Sequence, residues 1–60
     1  MEKYFIIQKN TNGSFTIKDT VTNNRSTYYF YSLENAIKKH RQNFNLQRLK
    51  FERIYLWKWG

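Results

Sequence analysis

The side chains that could do chemistry are few and scattered. One histidine, His40, and four carboxylates, Glu2, Asp19, Glu34 and Glu52, are the only groups suited to proton transfer near neutrality, and there is no cysteine. General acid–base work needs such groups converging on one substrate atom, and no two of these acids are spaced to do so. Ser14, Ser26 and Ser32 sit in turn or cap contexts rather than beside a base. Gly13 and Gly60 are the only glycines, so no glycine-rich loop can cradle a phosphate. Without thiols there is no disulfide framework and no thiolate metal site. These residues predict a binding protein that is not an enzyme, with no catalytic residues, no metal and no cofactor.

The charge points to the partner. The chain carries a net +7 with a pI near 10.0. Residues 1–35 hold Lys3, Lys9, Lys18 and Arg25 against Glu2, Asp19 and Glu34, so almost the whole excess falls in residues 36–60. There Lys38, Lys39, Arg41, Arg48, Lys50, Arg53 and Lys58 face Glu52 alone. Self-repulsion of this kind costs stability and points to an anionic partner, the alternative being a surface charged for solubility. Aromatics make up 20% of the chain, and rings beside cations suit nucleic acid, through stacking and phosphate neutralisation. No apolar run reaches the roughly 20 residues that span a bilayer, and the start is too quickly polar for a signal peptide. The expectation is a cytoplasmic protein with no membrane partner.

The elements that must position these groups are short. Sixty residues make one domain, 1–60, and a small one with a marginal core. Lys3 to Asn10, Ser14 to Thr20 and Ser26 to Tyr31 read as strands separated by the turn signals Thr11-Asn12-Gly13 and Thr22-Asn23-Asn24-Arg25. A three-residue loop ending in Gly13 pairs Ile7 with Ile17 and Phe5 with Asp19. A two-residue Asn23-Asn24 loop then pairs Ile17 with Phe30 and Asp19 with Tyr28. One face carries Phe5, Ile7, Phe15, Ile17, Tyr28 and Phe30. The other carries Tyr4, Ile6, Gln8, Thr16, Lys18, Thr20, Thr27, Tyr29 and Tyr31.

A helix from Leu33 to Phe44 follows, with Ser32 as N-cap and Glu34 in its first turn. Leu33, Ala36, Ile37, His40 and Phe44 form its inward stripe, which makes His40 a structural residue. Arg48 to Trp59 alternates as a fourth strand. Ile54 and Leu56 then extend the core, with Phe51, Arg53, Tyr55, Trp57 and Trp59 outward; the reverse orientation, aromatics inward, stays open. The predicted fold is α+β, β-β-β-α-β, an antiparallel three- to four-stranded sheet with one helix on one face.

Residues 13–44 resemble the AP2-like arm-binding domain at the N-terminus of phage-type tyrosine integrases. The residues that carry the resemblance are Thr22-Asn23-Asn24-Arg25-Ser26 at the hairpin turn and Phe30-Tyr31-Ser32-Leu33-Glu34-Asn35-Ala36 at the helix entry. Phe30, Ser32 and Ala36 match the family's pattern. The turn lacks the family's glycine, the acid sits one place early at Glu34, and the last strand has no counterpart. The resemblance implies DNA contacts from a sheet face holding Thr16, Lys18, Thr27, Tyr29 and Tyr31, with Arg25 in the turn.

The expected function is therefore a small basic nucleic-acid-binding module of phage or mobile-element type, with DNA favoured over RNA. Its candidate contact residues are Lys18, Arg25, Tyr29, Tyr31, Lys38, Lys39, Arg41, Arg53, Tyr55, Trp57 and Trp59. The competing reading is a protein-binding module, such as a phage-encoded modulator of a host protein. Large rings beyond the reach of one helix also predict a homodimer.

Overall fold

The computed structural model describes residues 2–58. The elements run β1 (Tyr4–Lys9), β2 (Phe15–Asp19), β3 (Arg25–Tyr28), α1 (Leu33–Asn43) and β4 (Arg53–Lys58). They form one four-stranded sheet in the order β3-β2-β1-β4, with α1 packed on one face. The α+β class and the β-β-β-α-β order are those predicted. The sheet is mixed, not antiparallel throughout: β4 lies parallel to β1, while the other two pairings are antiparallel. The helix is the reason, because it carries the chain back across the sheet and β4 re-enters in the direction of β1.

The first hairpin follows from its turn residues. Gly13 holds φ +88° at the end of the loop, a conformation that suits glycine. The Asn10 amide donates to the Ser14 carbonyl at 2.9 Å, and Asn12 Oδ1 accepts from the Ser14 amide and hydroxyl. The register is the expected one, Ile7 opposite Ile17 and Phe5 opposite Asp19.

The second hairpin differs from the expected one. Ile17 lies opposite Ser26, not Phe30, and Phe15 lies opposite Tyr28. The connection is a wider loop, residues 20–24, instead of the two-residue Asn23-Asn24 turn. Asp19 decides this. Its carboxylate accepts from the Thr22 backbone amide and lies 2.7 and 2.8 Å from the Thr22 hydroxyl, pulling Thr22 into the loop and away from a strand. The register moves by an even number of residues, so Tyr28 keeps its place on the core face.

Phe30 does not keep its place. β2 begins at Phe15, so residues beyond Tyr28 have no strand to pair with, and β3 ends three residues before the expected Tyr31. Phe30 takes φ +65° and is fully exposed, which removes it from the expected core. A left-handed conformation costs a bulky residue roughly 1–2 kcal/mol. Phe30→Gly is therefore expected to raise the melting temperature, by a few degrees for about 1 kcal/mol, as thermal unfolding followed by circular dichroism will show.

Helix α1 starts where expected. Ser32 is in extended conformation and its hydroxyl accepts from the Asn35 amide at 3.3 Å. Asn45, at φ +59°, reverses the chain after the helix, and the Leu46 amide donates to the Arg41 carbonyl at 2.7 Å. The core comprises Phe5, Ile7, Ile17, Tyr28, Ala36 and Leu46, flanked by half-buried Phe15, Leu33, Ile37, Phe44, Leu49 and Phe51. Phe51 was expected on the outer face; its ring instead stacks on Phe5, centroids 3.9 Å apart. Strand alternation does not apply there, because β4 begins only at Arg53. Ile54 and Leu56 stand opposite Phe5 and Ile7, on the helix side of the sheet. This settles the orientation in favour of Ile54 and Leu56 toward the core. Both remain largely exposed, at 50% and 65%, since α1 lies over β2 and does not reach the β4 edge.

Candidate nucleic-acid interface

The sheet face opposite α1 is built from rows of residues that the registers place side by side. One row crosses all four strands as Arg25, Lys18, Ile6 and Tyr55. Three strand spacings make it about 14 Å long. The next row holds Thr27, Thr16, Gln8 and Trp57. Tyr4 and Arg53 are neighbours at the far end of β1 and β4.

Each part of this face is held differently. The polar row is tied together: Asn10 Nδ2 donates to Thr16 Oγ1 at 3.0 Å, and the Thr16 and Thr27 hydroxyls meet at 2.9 Å. Gln8 Nε2 donates to Asn10 Oδ1 at 2.9 Å. The Tyr4 and Tyr55 rings pack edge to face with centroids 4.9 Å apart. Arg53 lies 3.7 Å from Glu2, and its protonated form is favoured by Tyr55 first and Glu2 second, which raises its pKa above the usual arginine value.

Lys18 and Arg25 stand apart from this pattern. They are directly opposite each other on β2 and β3, and among the described residues neither takes part in an ion pair. Like charges directly opposite on a sheet are destabilising. Ordinary threonine pairing, as in the adjoining row, would avoid that cost.

The expected contact residues therefore separate into four groups. Lys18, Arg25, Arg53 and Tyr55 share the outer face, Arg25 as the first residue of β3 and not in the turn where it was expected, and Trp57 shares the face by register. Tyr29 and Tyr31 were expected on that face but lie in the loop before α1, because β3 ends at Tyr28. Tyr29, Phe30 and Tyr31 are all exposed there; the Tyr29 and Phe30 rings lie 6.5 Å apart, and the Tyr31 and Tyr28 rings stand perpendicular with centroids 6.3 Å apart. Lys38, Lys39 and Arg41 sit on α1, across the sheet from the outer face. Lys38 pairs with Glu34 at 3.6 Å, both exposed. The Arg41 guanidinium donates to the carbonyls of Gln47 and Leu49 at 2.9 and 2.5 Å and lies over the Phe51 ring. Its donors close the loop between α1 and β4, which is a structural task. Trp59 lies outside the described residues.

A second constellation is hidden beneath the sheet. His40 Nε2 meets Asp19 Oδ2 at 2.8 Å and His40 Nδ1 meets the Tyr28 hydroxyl at 2.6 Å. Asp19 and His40 are wholly buried and Tyr28 nearly so. A carboxylate accepts from Nε2–H, which leaves Nδ1 of neutral imidazole to accept from Tyr28. Burial works to raise the Asp19 carboxyl, but hydrogen bonds from His40 and from the Thr22 side chain and amide outweigh it and hold its pKa below the usual value. Burial, first among its influences, pushes the Tyr28 hydroxyl up. An acid–imidazole–hydroxyl chain can relay protons where it meets a substrate. Here its three members face one another inside the protein and join β2, β3 and α1.

Among the described residues no group of three His, Asp or Glu is placed to hold a metal ion, and no helix is long and apolar enough to cross a membrane. No family model, curated protein or solved structure matches this chain.

Proposed function

We propose that this chain is a non-enzymatic module that binds nucleic acid, DNA in preference to RNA, through the outer face of its sheet. The observation that carries the reading is the Lys18–Arg25 pair. Two cations set directly opposite each other, without a carboxylate between them, form a cost that an anion removes. Phosphate oxygens spaced along a backbone suit that role, with Tyr4 and Tyr55 at the other end of the face for ring contacts. The resemblance to the arm-binding domains of phage-type integrases supports DNA and a phage or mobile-element setting.

The test is a salt titration of binding to duplex and single-stranded DNA and RNA. Each phosphate contact on duplex DNA contributes about 0.9 to the slope of log affinity against log salt. Lys18→Ala with Arg25→Ala is expected to weaken binding to every sequence and lower that slope by about 1.8. Lys38→Ala with Lys39→Ala is expected to leave the slope largely intact, because those cations lie across the molecule. A Lys18/Arg25 double variant that binds as the wild type does would defeat the reading.

One observation favours a protein-binding module instead: the exposed Tyr29–Phe30 pair in the loop before α1. That reading takes over if no nucleic acid binds at about 50 mM salt with a dissociation constant below roughly 100 µM, a range that non-specific binding reaches.

A further inference from the structure

Among the described residues, strand β4 ends the sheet with one side unpaired. Natural sheets protect such an edge by shortening it, charging it or covering it. β4 is six residues long, and Ile54, Tyr55 and Leu56 at its centre are all exposed. The opposite edge, β3, has four residues, three of them Arg25, Ser26 and Thr27, and is blunted in the usual way.

We propose that β4 pairs antiparallel with β4 of a second copy of this chain, centred on Tyr55. Residues directly opposite in an antiparallel pair share a face. Centred on Tyr55, Ile54 meets Leu56 of the second copy, Arg53 meets Trp57, and Glu52, just before the strand and with its carboxylate also accepting from the Lys3 amide at 2.6 Å, meets Lys58. Only even slips keep both helices on one side of the joined sheet. A slip of two residues in one direction sets Ile54 against Lys58, and in the other sets Glu52 against Leu56. The slipped registers still set Leu56 against Leu56 or Ile54 against Ile54, and only the register centred on Tyr55 adds acid against base to an apolar pair. That self-complementarity identifies the occupant as a second copy, despite the +7 that each chain brings.

The rest of the fold leaves room for it. Helix α1 lies over β2, two strands from the seam, so the two helices flank a strip made of Ile54 and Leu56 from both copies. The joined sheet also presents both outer faces on one side, and the row Arg25, Lys18, Ile6, Tyr55 continues into its counterpart. The pairing does not depend on the nucleic-acid reading and is tested without nucleic acid.

The chain has no cysteine, so single cysteines report proximity cleanly. Tyr55→Cys is expected to crosslink readily into a species of twice 7.5 kDa, since opposite Cβ atoms approach to about 4.5–5.5 Å. Ser26→Cys, on the other edge, is expected to stay monomeric. In sedimentation equilibrium the wild type is expected to dimerise in the micromolar range and Leu56→Asp to run as a monomer with its circular dichroism unchanged. Lys58→Glu is expected to weaken dimerisation roughly tenfold, two symmetric pairs becoming repulsive, and Lys58→Arg is expected to keep it. A wild type that stays monomeric, a dimer that survives Leu56→Asp, a Tyr55→Cys variant that crosslinks no faster than Ser26→Cys, or a Lys58→Glu variant that dimerises as the wild type does overturns the proposal.

Discussion

Asp19→Ala is expected to unfold the protein at neutral pH. Asp19 is wholly buried and receives His40 Nε2 at 2.8 Å together with the Thr22 amide and hydroxyl. Removing it leaves the His40 Nε2–H and the Thr22 amide without their partner in the interior, and each unsatisfied buried donor costs about 1–3 kcal/mol. A domain of this size has little more than that in total. Urea unfolding at neutral pH reads the loss directly, and a transition unchanged from the wild type contradicts it.

The same carboxylate sets an acid dependence with a definite sign. Its folded pKa lies below the unfolded value of about 3.9. The ionised form therefore stabilises the fold at pH values above the unfolded pKa, and that contribution fades as pH falls through the folded pKa. The charged and titratable groups in this chain of contacts are His40 from α1 and, beyond it, Tyr28 from β3. Asp19→Asn keeps the size and one acceptor, so it is expected to be destabilised less than Asp19→Ala. Its deficit relative to the wild type is expected to shrink below about pH 4. Urea midpoints measured from neutral pH down into that range test the sign; a deficit that grows on acidification reverses it.

The second large effect falls on Phe5. Its side chain is 1% exposed, stacked on Phe51 and set edge-on to His40 at 5.9 Å. Phe5→Ala is expected to cost about 3–5 kcal/mol, enough to abolish the cooperative thermal transition. Phe30→Ala is the control. Phe30 packs no core, so its replacement is expected to change stability by no more than about 0.5 kcal/mol, the range of ordinary surface substitutions. Thermal melts of the two variants side by side decide between the observed register and one that buries Phe30.

Local chemistry determined more of this protein than its size suggests. Gly13 at the end of a three-residue loop set the first hairpin, and through it the placement of Phe5, Ile7 and Ile17. Ser32, Glu34 and the stripe through Ala36 and His40 set the helix. Period-two spacing put Ile54 and Leu56 together on one face of the last strand and left open which face met the helix. The partnership of Asp19 and His40 was also within reach of the sequence. The first register put Asp19 opposite Phe5 on the inward face and the stripe put His40 on the inward side of α1. Two buried polar groups converging on one core need each other.

Tertiary structure decided the rest, wherever a choice depended on a distant residue. The Asn23-Asn24 turn satisfied local preference, yet Asp19 required donors from Thr22, and the wider loop moved Tyr29, Phe30 and Tyr31 off the sheet. Alternation through Leu49 and Phe51 looked like strand, but the strand could begin only where the chain reached β1, at Arg53. Arg41 carried charge like any other cation, and only the fold showed its donors spent on the carbonyls of Gln47 and Leu49. The parallel pairing of β4 belonged to no single segment, because it depends on which edge of the finished sheet a returning chain can reach.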